Sequence, residues 1–265
     1  MGALTPPVVI LARPQLGENI GAAARAMKNC GLTDLRLVDP RDGWPNPAAL
    51  PMAAAGKDII ESAKVYKTLG DALHDVTFLV ATSARPRDMA KPVSDPRSVA
   101  PLLVGHHEQF TDSGRYAGLL FGAERSGLDN DELALADIIV QADLNPEATS
   151  LNLAQAVFLM AWEWRVAALH HIAAAKPVET VSSKTMSPKM PTDSEIIPAT
   201  GAARDFFFTR LEKILDERHF FGSPEMAPVV KRNLRAYFTR GTPTDQELNT
   251  LHGILTLFEQ GKGLG

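Results

Sequence analysis

The chain has 265 residues, 45% of them hydrophobic and 22% charged, which is typical of a globular protein with one large domain or a medium domain and a smaller one. Its single cysteine, Cys30, excludes an intramolecular disulfide and a cysteine metal cluster, and the histidine pairs lack H-E-x-x-H spacing, so no metal is expected. The net charge of −4 gives no overall positive charge, so any nucleic-acid binding would depend on local clusters of cations. The absence of a signal-peptide pattern or a long apolar run predicts a cytoplasmic protein without membrane spans.

Apolar runs alternate with helical patterns over the first two-thirds of the chain. The strand-like runs lie at residues 8–12, 34–40, 77–84, 116–122 and 137–144. The helical patterns lie at residues 17–31, around 52–66, near 69–74, at 94–110 and at 150–171, the last with Ser150 as its expected N-cap. This alternation indicates a parallel α/β sheet, whose ligands usually lie beyond the carboxyl ends of the strands.

A change of composition follows the last of these helices. Residues 174–196 are rich in Pro, Ser, Thr and Lys and poor in apolar residues, which is typical of a flexible linker. Three further helical patterns lie near residues 200–219, 224–239 and 244–260, and an apolar stripe on the last comprises Leu248, Leu251, Leu255 and Phe258. We therefore predict a first domain at 1–173, a linker at 174–196 and a small all-helical extension at 197–265. Its core is small, so we expect it to be docked or dimerised.

A glycine turn follows the fourth strand-like run, in the sequence LLFGAERSGLDNDEL. Gly122 and Gly127 have the spacing of a phosphate-binding loop, but Leu128 and Asp129 stand where that loop requires Lys and Ser or Thr, so a nucleotide triphosphate is not expected. Glu124 and Arg125 follow Gly122 directly. Two opposite charges at the end of a strand suit a functional site, and for Arg125 a surface turn is the alternative.

Two other segments place polar residues beside small ones. In ENIGAAARAMKNCG, Asn19 and Arg25 flank a glycine and three alanines, a pattern that also suits a helix packed closely on the sheet. In NPEATSLNLAQA, Thr149, Ser150 and Asn152 gather at a helix start, where free backbone N–H groups bind acceptors. Capping explains Thr149 or Ser150. It does not explain Asn152, which is expected inside the first turn, where Asn is a poor helix former.

The order and spacing of these segments carry a resemblance. N-x-G-x-x-x-R, then F-G-x-E-x-x-G-L, then S-L-N-L-A resemble the motifs of the SpoU class of SPOUT methyltransferases, over roughly residues 7–170. The resemblance implies a parallel α/β sheet with helices on both faces and a C-terminal trefoil knot, a homodimer formed through the knotted domain, and methyl transfer from S-adenosylmethionine to a ribose 2′-hydroxyl of RNA. With its helical extension, the chain resembles the bacterial TrmJ-type enzymes, which methylate nucleotide 32 (C or U) in the tRNA anticodon loop.

The resemblance also implies site residues. Those expected to contact the cofactor are Thr82, Ser83, Ala84, Gly122, Ala142, Thr149, Ser150 and Leu151. Arg25 matches the catalytic arginine, and Asn19, Glu124, Ser150 and Asn152 match positions that orient the arginine, the ribose or the cofactor. Because a guanidinium stays protonated, we favour a phosphate anchor over a base for Arg25. For Glu124 we favour charge pairing with Arg25 over the role of base.

RNA contact requires local cations. The candidates are Arg13, Arg85, Arg87 and Lys91 near the strand ends, and Lys231, Arg232 and Arg235 in the extension. A solvated helix face is the alternative for the second group. The expected partner is tRNA, with neither DNA nor a membrane. Three other functions stay open: ribose methylation of rRNA, base methylation of tRNA on the same fold, and RNA binding without catalysis.

Overall fold

The computed structural model describes residues 4–84, 91–110, 114–174, 198–241 and 243–259, except for the side chains of residues 107–110. Its strands are β1 (Val8–Ala12), β2 (Leu35–Val38), β3 (Lys64–Tyr66), β4 (Val76–Thr82), β5 (Val93–Ser94), β6 (Tyr116–Phe121) and β7 (Ile138–Val140). They form a 7-stranded sheet in the order β3-β2-β1-β6-β4-β7-β5. Each pairing between neighbouring strands is parallel, which confirms the predicted fold class.

The helices follow the strands in an α/β alternation and then continue without strands. They are α1 (Gly17–Cys30), α2 (Ala49–Ala53), α3 (Lys57–Glu61), α4 (Leu69–Ala72), α5 (Pro96–Phe110), α6 (Asn130–Leu135), α7 (Leu153–Ala174), α8 (Gly201–Glu217), α9 (Ala227–Arg240) and α10 (Asp245–Glu259). α1 ends as its sequence predicts, at Gly31 in the left-handed conformation with φ 83°. None of the described helices is long and apolar enough to cross a membrane.

One predicted element is wrong and others were not predicted. The stretch at residues 52–66 is not a single helix, because α2, the 3-10 turn Ala54–Gly56 and α3 are followed by the edge strand β3. The side chain of Val65 in β3 is exposed, so this strand lacks the buried alternation by which strands are recognised. β5 has only two residues, which are defined by their pairing with β7. α6 begins with a capping box formed by Asp129 and Glu132, a local signal that the sequence interpretation missed.

Helices cover both faces of the sheet, as predicted. In β1 the side chains of Val9 and Leu11 lie in the core shared with α1, α5 and α7. The alternate side chains, Val8 and Ile10, lie in a second core with α4 and α6. Strands buried on both faces favour apolar residues at nearly every position, which is why most of the strand sequences form apolar runs. The exception in β2 is Arg36, which is buried and donates to the Asp75 carboxylate and the Ala72 carbonyl.

The C-terminal helices form their own small core and dock on the second face of the sheet. The buried residues of this core are Ala199, Phe207, Phe208, Ile214, Leu248 and Leu255. Phe258, which was predicted to join this apolar stripe, is exposed, so that prediction is wrong at its last position. α8 lies against α4 so closely that a Cβ on Gly201 would come within 2.2 Å of the Leu73 carbonyl oxygen.

Buried polar residues tie the extension to the sheet. Arg204 of α8 donates to the Asp137 carboxylate at 2.8 Å, and the other oxygen of that carboxylate accepts from the Leu79 amide at 2.6 Å. The Lys91 ammonium donates to the Ala136 carbonyl at 2.5 Å and to the Thr239 hydroxyl of α9. Lys91, Asp137, Arg204 and Thr239 are called the junction cluster below, and all four are buried.

Candidate active site

Three segments that are distant in sequence meet beyond the carboxyl ends of β1 and β6. The Asn19 side-chain amide of α1 donates to the Glu124 carboxylate at 2.9 Å. The Asn152 amide, at the start of α7, donates to the Asn19 side-chain oxygen at 3.0 Å. Asn19, Glu124 and Asn152 are called the active-site network below. The structure thus joins one residue from each of the three sequence motifs through direct hydrogen bonds.

Glu124 holds the beginning of α1. Its carboxylate accepts from the backbone amide of Gln15 at 2.8 Å and from that of Leu16 at 3.2 Å, in addition to Asn19. The N-cap residue of α1, Leu16, has no side chain able to accept from the free amides of the first turn. The glutamate instead binds the two backbone amides that directly precede the helix and the Asn19 side chain of its first turn. Its oxygens are therefore already engaged by three N–H donors.

Asn152 caps α7. Its side-chain oxygen accepts from the Ala154 amide at 2.9 Å, and the Gln155 side chain accepts from the Asn152 amide at 3.0 Å. The predicted N-cap, Ser150, is therefore wrong, and Asn152 lies at the cap rather than inside the first turn. One side chain caps a helix with its oxygen and joins the active-site network with its nitrogen. Sequence alone did not find this because helix starts are predicted only to within a few residues.

A cavity of about 250 Å³ lies beside this network, beyond the carboxyl ends of β4, β6 and β7. Every residue predicted to contact the cofactor lines it: Thr82, Ser83, Ala84, Gly122, Ala142, Thr149, Ser150 and Leu151. The sequence did not single out the apolar part of the wall, to which Leu144, Leu159 and Met160 contribute. Apolar residues of helices and loops carry no motif that distinguishes a cavity wall from the core.

The glycine turn forms one wall of the cavity by folding back on itself. The Gly127 amide donates to the Ala123 carbonyl at 2.8 Å, and Gly127 has φ 66°, a left-handed conformation that favours glycine. A Cβ on Gly122 would lie 2.2 Å from the Gly127 carbonyl carbon. The space beside Gly122 is therefore filled by the turn itself.

The comparisons with known proteins agree with this architecture. The profile of the SpoU rRNA Methylase family matches residues 6–162. The chain belongs to this family. It is 35% identical over 252 residues, 95% of this chain and 91% of the relative, to the tRNA (cytidine/uridine-2′-O-)-methyltransferase TrmJ of Yersinia enterocolitica. It is 36% identical over 248 residues, 94% of this chain and 91% of the relative, to the tRNA (cytidine/uridine/adenosine-2′-O-)-methyltransferase TrmJ of Pseudomonas aeruginosa.

A solved structure matches nearly the whole chain. The crystal structure of TrmJ from Z. mobilis is 41% identical, has a TM-score of 0.79, and the match covers 96% of this chain and 99% of that one. The match extends past the SpoU domain through the C-terminal helices. The resemblance to the SpoU class and to TrmJ-type enzymes, which was predicted from three short motifs, is confirmed.

Arg25, which matches the catalytic arginine of the SpoU class, stands apart from the cavity. It lies on α1, is exposed, and is absent from the cavity lining. Within the described part of the chain its guanidinium has no hydrogen bond or ion pair. The predicted charge pairing between Glu124 and Arg25 is not formed within the chain, because the backbone of residues 15–16 and the Asn19 amide engage the carboxylate.

The cations near the strand ends differ from the prediction. Arg13 forms a two-pronged ion pair with the Glu132 carboxylate, which raises the Arg13 pKa mainly through this hydrogen bond. Lys91 is buried in the junction cluster, and burial lowers its pKa from 10.5 to about 8. The prediction that Lys91 contacts RNA is therefore wrong. Arg85 and Arg87 lie outside the described residues.

The cations of α9 are engaged within the protein. Arg232 donates to Asp131 of α6 at 2.8 Å, and Arg235 donates to Glu212 of α8 at 2.6 Å. Lys231 lies 3.9 Å from the same glutamate. These ion pairs fasten α9 to its neighbours, so RNA phosphates would have to compete with carboxylates for each cation. The role of these residues in RNA binding stays a prediction.

Proposed function

We propose that this protein transfers a methyl group from S-adenosylmethionine to a ribose 2′-hydroxyl of tRNA. The observation that carries the proposal is the active-site network, in which Asn19, Glu124 and Asn152 meet beside a cavity at the strand ends. Membership of the SpoU family and the similarity to TrmJ proteins along nearly the whole chain support the same activity. For the target we propose nucleotide 32 of the anticodon loop, C or U.

The cavity has the chemistry that S-adenosylmethionine requires. Its wall combines apolar side chains with backbone groups and hydroxyls, including those of Thr82 and Ser150, which suits an adenine ring and a ribose. Its volume of about 250 Å³ lies just below the usual range for sites of small ligands, which begins near 300 Å³. The described residues contain no cluster able to hold a metal ion.

The protein's own residues position the nucleophile. S-adenosylmethionine supplies an electrophilic methyl group on a sulfonium. The 2′-hydroxyl must lie in line with it, and positioning of this kind is a large part of catalysis. We assign the positioning to Arg25, whose planar guanidinium binds a phosphate through two hydrogen bonds without changing its protonation. Glu124 then acts through the backbone of α1, because its oxygens are engaged, and Asn152 fixes the start of α7.

A second copy of the chain would bring Arg25 to the cavity. α7 exposes apolar side chains at helical spacing, among them Phe158, Trp162 and Leu169, and the rings of the first two stack at 6.2 Å. Such a contiguous apolar face is typical of an interface. The alanine-rich part of α1 offers no such face, because Ala23 and Ala24 are fully buried within the chain. We propose a homodimer through α7, in which Arg25 of one subunit serves the cavity of the other.

Mixing two inactive variants tests this arrangement. Arg25→Ala removes the arginine, and Ala142→Phe fills the cavity of a subunit whose Arg25 is intact. When the two variants are refolded together, the mixed dimer should recover activity, because its one open cavity meets its one intact arginine. Roughly a quarter of all sites should then be active. Without recovery, although mixed dimers are detected, Arg25 would have to act within its own subunit. A wild-type protein that is monomeric by light scattering while it methylates tRNA would contradict the dimer itself.

Mass spectrometry of digested RNA tests the reaction. We expect a 2′-O-methylated nucleoside in an anticodon-loop fragment of tRNA after incubation with S-adenosylmethionine. A methylated base, a product only in rRNA, or binding without any product would each favour one of the alternative functions.

Since the substrate is tRNA, we also propose a cytoplasmic location. We further propose that the segment before α7 threads a trefoil knot, which is supported by the position of α7 between α1 and α5.

A further inference from the structure

Arg125 is a cation on the wall of the cavity that none of the assigned roles uses. It lies on the turn between Gly122 and Gly127, it is exposed, and it belongs to the lining of the cavity. Among the described residues that line the cavity, it carries the positive charge and Glu124 the negative one. The cavity therefore has one fixed cation at its edge.

The charge of Arg125 is not neutralised by any residue that the structure describes. Its neighbour Glu124 turns toward α1 and is engaged by Gln15, Leu16 and Asn19. Within the described ranges, neither Arg125 nor Arg25 has a hydrogen bond, an ion pair or a ring contact. The remaining described arginines each have one, to a carboxylate, a carbonyl or an aromatic ring.

The turn holds the backbone of Arg125 in a fixed place while its side chain stays available. On one side, the close contact between Gly122 and Gly127 fixes the turn. On the other, the three hydrogen bonds of Glu124 attach it to α1. A guanidinium on a rigid turn loses less conformational entropy on binding than one on a mobile loop. An unpaired arginine so placed is suited to bind an anion that arrives with the substrates.

We propose that Arg125 binds an anionic group at the mouth of the cavity, which is either the carboxylate of the amino-acid part of the cofactor or a phosphate of the RNA. The inference rests on the proposed methyltransferase function and adds a binding residue to it. Carboxylate and phosphate present the same chemistry to arginine, two oxygens spaced for paired N–H donors. Arg125 thus contributes affinity for one of the two substrates.

Two ligands of the cavity distinguish these sources. S-adenosylhomocysteine carries the carboxylate, and 5′-methylthioadenosine lacks the amino-acid part. If Arg125 binds the carboxylate, calorimetry of Arg125→Ala should show about tenfold weaker S-adenosylhomocysteine binding and unchanged 5′-methylthioadenosine binding. If it binds a phosphate, both affinities should stay unchanged. The KM for tRNA should then rise, and the slope of log K against log salt should fall by about one.

The controls separate this inference from the proposed function. Arg218→Ala removes an exposed arginine of the extension that bonds to the Phe258 carbonyl, and it should change neither ligand affinity. Arg125→Lys keeps the charge without the planar fork and should restore part of the lost affinity. If the wild-type protein binds S-adenosylhomocysteine and methylates tRNA while Arg125→Ala matches it in both affinities, the inference is overturned. If the wild-type protein does neither, the proposed function itself fails.

Discussion

The active-site network and the junction cluster are both built from polar residues far apart in sequence, yet they differ in what surrounds them. Asn19, Glu124 and Asn152 lie at the surface, where hydrogen bonds connect them to one another and to the starts of α1 and α7. Asp137 and Arg204 are buried, at 4% and 6% exposure. A partly exposed network can lose one member and replace it with water, whereas a buried ion pair that loses one partner leaves a charge without solvation. Variants of the first should change turnover and variants of the second should change stability.

The largest expected effect is on turnover. Arg25→Ala should lower the rate of tRNA methylation at least a hundredfold, because removing one preorganised group that acts in the transition state typically costs about 10²–10³ in rate. Affinity for S-adenosylhomocysteine should stay unchanged, since the role proposed for Arg25 is to bind a phosphate of the RNA and not the cofactor. Single-turnover kinetics and calorimetry measure the two quantities. Arg25→Lys should rescue little of the activity, and near-normal turnover in either variant would make Arg25 a solvated helix residue.

The next effect is on stability. Arg204→Ala leaves the Asp137 carboxylate buried without its ionic partner and should lower the free energy of unfolding by about 3–5 kcal/mol. The double variant Arg204→Met with Asp137→Asn should lose much less, because both charges of this ion pair are removed together and an acceptor for the Leu79 amide remains. Urea unfolding measures both. Arg97→Ala, which breaks an exposed pair with Glu163, serves as the control and should cost under about 1 kcal/mol.

Deletion of the extension extends this test. A chain cut after residue 175 loses Arg204 and Thr239 together, so the first domain should be destabilised even though it keeps its own core. Equal stability of the cut and full chains in urea would show that the junction cluster does not hold the extension to the sheet.

The junction cluster should also titrate. Burial lowers the Lys91 pKa from 10.5 to about 8, so between these pH values the unfolded chain binds the proton that the folded chain has released. Stability therefore rises with pH in this window. Across this window, the free energy of unfolding of the wild type should rise by about 3 kcal/mol relative to that of Lys91→Met. Urea unfolding at several pH values measures it, with Lys64→Met as an exposed control; parallel curves for wild type and Lys91→Met would refute the assignment.

The smallest effect separates the two roles of Asn152. Asn152→Ala removes the cap of α7 and should cost about 1–2 kcal/mol of stability as well as activity. Asn152→Asp keeps the capping oxygen but loses the N–H that bonds to Asn19, so stability should be retained while turnover falls. Thermal unfolding and methylation kinetics on both variants measure this. Equal turnover in Asn152→Asp and wild type would show that Asn152 serves the helix alone.

The sequence by itself determined the fold class and predicted site residues that the structure brings together. Most of the buried strands are apolar runs, and Asn19, Gly122, Glu124 and Asn152 stand in short motifs near the ends of elements. The order and spacing of these motifs carried the resemblance to the SpoU class, and that resemblance implied the cofactor residues. All of them line one cavity.

Only the tertiary structure decided how the charges are used. Lys91, Lys231, Arg232 and Arg235 have the composition of an RNA-binding surface. Lys91, however, is buried, and the three cations of α9 face carboxylates. Arg125, which the sequence left open between a site and a surface turn, has no partner in the described chain. Whether an arginine is free depends on acidic groups that approach it from elements remote in sequence. Ion pairing acts through space without any fixed spacing, so no pattern along the chain records it.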